Sequence, residues 1–223
     1  EAKRLAFEDL ARYYADPAFA NIPTKELLSE EYGKKRFDLI NPENAMASFG
    51  PGEFSFTSEG DTTYLTVADS SGMMVSLIQS NYRGMGSGLV PDGLGFMLQD
   101  RGELFSMDPS HPNVYEPGKR PFHTIIPAFI MQNGLPLMSF GLMGGSMQPQ
   151  GHVQILINMF DYGMNPQEAG DAARMNHIGG RRPTGGNDDL LGVLHMEPGV
   201  SEETIKKLED MGHQVQVVTD GVM

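Results

Sequence analysis

The sequence contains no cysteine, so it can form no disulfide and offers no thiol chemistry. This leaves the compartment open, because cytoplasmic, periplasmic and secreted proteins can all lack cysteine. Basic residues are scarce, with 16 Lys and Arg against 29 Asp and Glu and a net charge of −13. This balance argues against nucleic acid and anionic membrane surfaces as partners. No apolar run approaches the roughly 20 residues that span a bilayer.

Three regions differ in composition. Residues 1–40 show apolar residues at helical spacing, which predicts helices there. Residues 41–61 are rich in Pro and Gly and poor in aliphatic side chains, which is typical of a flexible linker. Strand patterns dominate residues 62–223. A chain of this length can bury a core, as one domain or as a large piece of one.

The junction between linker and first strand is a candidate nucleophile site. Thr62 opens a β-branched run directly after Asp61. One interpretation is an ordinary strand start. In the other, the Thr62 hydroxyl is a nucleophile whose base is its own α-amine, which has an ordinary pKa near ~8. That amine becomes free only if the chain is cut between Asp61 and Thr62, by attack of Thr62 on the Asp61 carbonyl.

A pair of glycines is a second candidate feature. Gly144 and Gly145 follow a predicted strand, Leu135 to Met143, and precede a helical pattern. Glycines at a strand-to-helix turn can direct free N–H groups towards an oxyanion. Alone the signal is weak, because most such pairs only form turns.

Local signals predict further elements. Thr124 to Gln132 is a predicted strand, joined to the next one by a hairpin at Asn133-Gly134. Asn165 and Ser201 are predicted N-caps of two later helices.

Over about residues 1–215 the chain resembles γ-glutamyltranspeptidases, from the end of the large subunit through most of the small subunit. The resemblance lies in six ordered motifs: Thr62 to Asp69, Gly84 to Gly88, Pro112 to Tyr115, Pro117 to Pro121, Gly144 to Ser146 and Asp161 to Pro166. It implies an α+β N-terminal-nucleophile hydrolase, here a partial four-layer αββα sandwich that self-cleaves at Asp61-Thr62. Residues 1–40 would end the large subunit, and residues 62–223 would form the small-subunit catalytic region.

The resemblance also implies catalytic roles. Thr62 matches the nucleophile, and Ser80 lies where the family usually has a threonine that contacts it. Gly144 and Gly145 match the oxyanion donors. The implied reaction is hydrolysis or transfer of the acyl group of γ-glutamyl amides such as glutathione, through a Thr62 acyl-enzyme and without a cofactor.

The positions that would bind substrate depart from the family pattern. The departures are Tyr82 for an asparagine, Arg101 for an amide, Leu104 for an ammonium-binding aspartate beside Glu103, and His123-Thr124 for a Ser-Ser pair. They resemble the divergent branch that includes cephalosporin acylases. Structural interpretations stay open, because Arg101 can be a solvated loop charge, His123 can hold a turn, and Tyr82 can simply pack.

Three hypotheses remain open. The first is a γ-glutamyltransferase-like enzyme, the second a glutaryl or cephalosporin acylase-type amidohydrolase, and the third an uncleaved binding or structural protein. Glu103 and Leu104 distinguish the first two through selection for an α-ammonium. The resemblance implies the remaining large-subunit portion as a partner and allows a homo-oligomer of heterodimers. The histidines have no metal-ligand spacing, so no metal site is expected.

Overall fold

A computed structural model of the chain describes residues 1–46, 62–182, 184 and 191–219. Asp61 and most of the predicted linker therefore lie outside the described residues. The elements in chain order are α1 (Ala2–Tyr13), α2 (Thr24–Leu27), α3 (Glu30–Phe37), β1 (Thr62–Ala68), β2 (Met74–Ser80), a 3-10 turn (Arg101–Leu104), β3 (Ala128–Gln132), β4 (Leu135–Phe140), α4 (Met147–Phe160), α5 (Pro166–Asp171), β5 (Met175–Ile178), β6 (Val193–Met196), α6 (Glu202–Asp210) and β7 (Val215–Val217).

The described residues form two compact units. The first comprises residues within 1–46, 102–122 and 177–219, and the second comprises residues 62–101 and 123–176. The mixture of helices and strands agrees with the predicted α+β class.

In the second unit, β1 and β2 form an antiparallel pair whose register places Thr62 opposite Ser80. The predicted strand start at Thr62 is confirmed. Because cross-strand partners project on the same side of a sheet, this register brings the two hydroxyl side chains together.

β3 and β4 form the predicted hairpin. Asn133 has φ +53° and Gly134 has φ +78°, the left-handed pair of a type I′ turn. The predicted start of β3 at Thr124 is wrong, because the strand begins at Ala128. The preceding residue, Pro127, has no N–H to donate to a ladder.

β4 leads towards the glycine pair and lies against the β1–β2 pair. The Thr66 hydroxyl hydrogen-bonds the Ser139 hydroxyl, and the Ser76 hydroxyl donates to the Phe140 carbonyl at 3.3 Å. β4 ends at Phe140, three residues before the predicted end. Gly141 follows it against the Tyr64 ring, which leaves no space for a side chain there. These contacts fix where the chain enters the Gly144–Gly145 turn.

Two helices complete this unit. α4 begins at Met147, whose side chain is almost completely buried. α5 has the predicted cap: the Asn165 side chain accepts from the Glu168 N–H, and the Glu168 carboxylate accepts from the Asn165 N–H.

In the first unit, ion pairs join segments that are distant in sequence. Arg36 on α3 forms two hydrogen bonds to the Asp9 carboxylate on α1. The buried Asp16 carboxylate accepts from the Arg120 guanidinium, which holds the pKa of Asp16 well below its usual value. α6 has the predicted cap at Ser201, and β6 pairs in parallel with β7.

His177, also in the first unit, should make stability depend on pH. Its Nε2–H donates to the Leu191 carbonyl, so Nδ1 is left to accept from the Lys3 ammonium. Burial first, and then the Lys3 charge, lower the pKa of His177 to about 4. The unfolded chain, with an ordinary His pKa near ~6.5, binds a proton that the folded chain does not, so stability is lost as pH falls from about 6.5 towards 4.

We expect about 2 kcal/mol of stability to be lost at this site between pH 7 and pH 5. Glutamine at position 177 can make both hydrogen bonds and does not titrate. Denaturant unfolding of the full-length protein at the two pH values should therefore show a smaller acid loss for His177→Gln than for wild type. Equal losses would mean that His177 does not titrate in this range.

Many apolar side chains are exposed in the described residues. The cross-strand pairs Leu65–Leu77 and Val67–Val75 lie on one face of β1–β2, each side chain more than two-fifths exposed. On α4, the apolar side chains of Val153, Ile157 and Phe160 are also exposed. Among the described helices, none has the length and apolar character needed to cross a membrane.

Candidate functional site

The first part of the site is the hydroxyl pair at the start of β1 and the end of β2. The Thr62 hydroxyl donates to Ser80 Oγ at 3.0 Å, and the Tyr82 N–H donates to the same oxygen at 2.9 Å. Since the Thr62 hydrogen is directed at Ser80, the lone pairs of Thr62 Oγ1 are left for another contact. The predicted contact between Thr62 and Ser80 is present.

Tyr82 has an uncommon backbone conformation. Its φ is +82°, in the left-handed region that bulky residues rarely occupy. The guanidinium carbons of Arg83 and Arg101 lie 5.8 Å and 5.6 Å from the centre of its ring. Tyr82 thus combines a backbone donor to Ser80 with an aromatic face beside two cations.

The Arg101 side chain is buried, with only 4% of its surface exposed. The interpretation of Arg101 as a solvated charge on a loop is therefore wrong. Its Nη1 donates to the Ser80 carbonyl at 3.0 Å, and its Nε donates to Thr124 Oγ1 at 2.8 Å. Burial lowers the pKa of Arg101. A guanidinium nevertheless remains charged at any physiological pH. Arg101 therefore places a fixed positive charge next to Ser80 and Thr124.

The second part of the site is the turn between β4 and α4. Gly144 and Gly145 have φ +108° and +55°, so both use conformations that favour glycine. The Gly144 carbonyl accepts from the Met147 N–H at 2.9 Å, and the Gly145 carbonyl accepts from the Gln148 N–H at 3.2 Å. These bonds orient the peptide planes of the turn.

A small cavity of about 10 Å³ joins the two parts, with room for about one water molecule. Its lining residues are Thr62, Ser80, Tyr82, Thr124, Ile125, Gly145 and Gln148. Among these described residues none is acidic. Five of the predicted site residues therefore line one cavity, together with Ile125 and Gln148, which the sequence did not single out.

The other predicted site residues lie elsewhere. Gly144 adjoins the lining through Gly145, and Arg101 is bonded to two lining residues without lining the cavity itself. His123 is exposed, with Nδ1 accepting from the Ile125 N–H. Packing around part of its ring and then the Arg101 charge lower the pKa of His123. Glu103 belongs to the first unit, as does the buried Leu104.

Within the part of the chain that the structure describes, no three His, Asp or Glu side chains are grouped to hold a metal ion.

Comparisons with known proteins identify the family. The γ-glutamyltranspeptidase family model matches residues 1–222. The chain is 39% identical over 220 residues to a glutathione hydrolase-like YwrD proenzyme of Bacillus subtilis, covering 99% of this chain and 40% of that protein. It is 34% identical over 220 residues to an oxamate amidohydrolase proenzyme of Klebsiella pneumoniae, with the same coverage of 99% and 40%.

A solved structure also matches the chain over nearly its whole length. The crystal structure of cephalosporin acylase from Bacillus halodurans superposes with a TM-score of 0.80 at 40% identity, covering 97% of this chain and 37% of that one. The chain therefore belongs to the γ-glutamyltranspeptidase family. It spans about 40% of the length of the curated relatives that it matches.

Proposed function

We propose that the full-length protein is a γ-glutamyltransferase-like amidohydrolase that cleaves itself at Asp61-Thr62 and uses Thr62 as its nucleophile. The observation that carries this proposal is the single cavity lined by Thr62, Ser80 and Gly145, because a nucleophile and a backbone oxyanion donor must both reach one carbonyl. Two relatives named as proenzymes support self-cleavage.

Maturation and turnover use the same hydroxyl in this mechanism. Thr62 Oγ attacks the Asp61 carbonyl carbon, and the C–N bond breaks as the hydroxyl proton passes to the Thr62 nitrogen, which leaves an ester. Water hydrolyses that ester to give the Asp61 carboxylate and restores the Thr62 hydroxyl beside a free amine. In turnover, that amine takes the Thr62 hydroxyl proton as Oγ attacks the substrate amide. The proton then goes to the leaving amine, and water or an acceptor amine releases the acyl group from Thr62.

Ser80 and the glycine pair have supporting roles. Ser80 contacts Thr62 Oγ1 and so places the attacking oxygen before substrate arrives. In turnover the Thr62 hydroxyl hydrogen turns from Ser80 to the freed amine. The N–H groups of Gly144 and Gly145 stabilise the tetrahedral oxyanion, a contribution of roughly 3–4 kcal/mol per donor. Tyr82 and Thr124 form the acyl-binding side of the cavity, with His123 as a further contact, and Arg101 holds the Thr124 hydroxyl in place.

The partner in this proposal is the remaining large-subunit portion. The exposed cross-strand pairs Leu65–Leu77 and Val67–Val75 form an apolar sheet face of the kind that packs against a second sheet. The complete αββα sandwich would result when that portion covers this face. Residues 1–40 then end the large subunit, and residues 62–223 form the small one.

The direct test is intact mass of the purified full-length protein, followed by a γ-glutamyl p-nitroanilide assay. We expect two chains, the smaller one starting at Thr62, and release of p-nitroaniline. A single uncut chain without turnover would favour the non-catalytic alternative. An uncut protein that still hydrolyses the amide would refute the N-terminal amine as base.

A second candidate is a glutaryl or cephalosporin acylase-type amidohydrolase. The observation in its favour is the absence of a carboxylate among the described residues that line the cavity. The structure of a cephalosporin acylase is also among the matches. An acyl group without an α-ammonium would need no acidic partner there.

Substrate choice distinguishes the two candidates. We expect γ-glutamyl and glutaryl p-nitroanilide to differ by less than about tenfold in kcat/KM, or about 1.4 kcal/mol. The reason is that an ammonium buried without a carboxylate loses hydration that nothing replaces. Both substrates share a carboxylate, which an arginine of the large-subunit portion can bind. A glutamyl preference above about a hundredfold, or about 2.7 kcal/mol, would show that Glu103 or another acid restores the ammonium site.

A further inference from the structure

Gln148, on the first turn of α4, is a buried side chain with a fixed orientation. It is 2% exposed, and its Nε2 donates to the Thr124 carbonyl at 2.5 Å and to the Gly145 carbonyl at 3.3 Å. Both partners are acceptors only, so the amide nitrogen has to face them. One side chain therefore bonds the segment before β3 and the glycine turn at the same time.

Among the described residues, the hydrogen bonds that hold the Gly145 carbonyl come from Gln148. A Cβ added to Gly145 would meet no atom within 4 Å, so there is open space on that side of the turn. The bonds to its carbonyl come from the Gln148 N–H and the Gln148 side chain. The position of Gly145 consequently depends on where Gln148 is held.

Thr124 connects Gln148 to the nucleophile. Its carbonyl accepts from Gln148, and its hydroxyl accepts from Arg101, which in turn donates to the Ser80 carbonyl. Ser80 accepts from Thr62. Hydrogen bonds, together with the covalent structure of Ser80 and Thr124, thus connect the Thr62 hydroxyl to the Gly145 carbonyl within the second unit.

A contribution to folding stability does not readily explain why position 148 carries an amide. Its Oε1 is buried without a hydrogen-bond partner among the described residues. A buried acceptor left without a partner opposes folding, so an apolar side chain of the same length would be the simpler core residue.

We propose that Gln148 is a positioning residue, which sets the distance between the Thr62 nucleophile and the oxyanion donors of the Gly144–Gly145 turn. The proposal rests on the proposed function for its catalytic consequence. The structural part of the proposal is that the Gln148 amide orders the turn, and this part does not depend on the proposed function. Gln148 does not touch the reacting atoms in this role and acts through Gly145 and Thr124.

The test compares Gln148→Met with a matched control, Gln154→Met. Gln154 lies on the same helix, and its Nε2 also donates to two carbonyls, of Gln150 and Met175. Six residues along a helix correspond to about 9 Å, and Gln154 does not line the cavity with Thr62. Both variants replace a glutamine on α4 with methionine and so lose the same side-chain amide. Only Gln148→Met loses the hydrogen bond to the Gly145 carbonyl.

Two measurements on the full-length protein decide the proposal. The first is kcat per mature Thr62 terminus, which should fall on the order of 10- to 100-fold in Gln148→Met with KM within about threefold, because a misplaced donor weakens only the transition state. Gln154→Met should keep kcat within about threefold. A kcat loss equal in the two variants would overturn the proposal.

The second measurement does not require activity. Amide hydrogen exchange over residues 141–148 should be faster in Gln148→Met than in wild type and in Gln154→Met, since the Met147 and Gln148 N–H groups form the hydrogen bonds of the turn. Unchanged exchange would overturn the proposal even if kcat fell. A wild-type protein without turnover would refute the proposed function, and exchange alone would then decide whether Gln148 orders the turn.

Discussion

Replacing Thr62 with alanine should leave the full-length protein as one uncut chain with turnover reduced by at least about 10⁴-fold. The hydroxyl that donates to Ser80 is the only group on this side chain that can attack a carbonyl. Because the same hydroxyl opens the Asp61 peptide bond and the substrate amide, its loss should stop both reactions. Intact mass and a denaturing gel measure the first, and p-nitroanilide hydrolysis measures the second.

The adjacent Thr63 offers a matched control. Successive strand residues point to opposite faces, and Thr63 is exposed and does not line the cavity. Thr63→Ala should therefore be processed and active, while Thr62→Ser should be processed slowly, since it keeps the hydroxyl and loses the methyl that restricts χ1. A cut or active Thr62→Ala protein would exclude Thr62 as nucleophile.

Replacing Gly145 with valine should lower kcat by on the order of 100-fold or more. A Cβ added at Gly145 meets no atom within 4 Å, so the main effect does not come from a clash of that carbon. It comes from φ +55°, which a β-branched residue adopts only with strain, so the N–H groups of the turn are redirected. Activity per mature terminus at saturating substrate is the measurement.

Gly163 provides the comparison for backbone strain. It has φ +70°, also has no atom within 4 Å of an added Cβ, and follows the far end of α4. Gly163→Val should lower the melting temperature to a similar extent and leave kcat nearly unchanged. If Gly145→Val were no less active than Gly163→Val, the oxyanion donors would have to lie elsewhere.

Features set by neighbouring residues were predictable from the sequence. The turn at Asn133-Gly134 and the caps at Asn165 and Ser201 depend on residues within a few positions, and all three are confirmed. The pairing of Thr62 with Ser80 was expected from the resemblance to a known family, and the strand register provides it.

Features set by distant contacts were not predictable. Arg101 is buried because Ser80 and Thr124 accept its hydrogen bonds, which no local pattern around Arg101 indicates. Gln148 was missed for a similar reason, since glutamine is ordinary on a helix surface and nothing nearby in the sequence marks this one as buried. The short strands β5 to β7 give too few residues for a periodic signal.

The left-handed backbone of Tyr82 has a consequence for laboratory evolution of substrate range. Asparagine and glycine adopt such a φ at lower cost than tyrosine, so the backbone preference of this residue opposes its presence. Tyr82 is among the residues that line the cavity, so this strained conformation lies at the candidate site. Substitutions that widen a site usually sacrifice stability. At position 82, an exchange to asparagine or glycine would relax the main chain and enlarge the site in the same step.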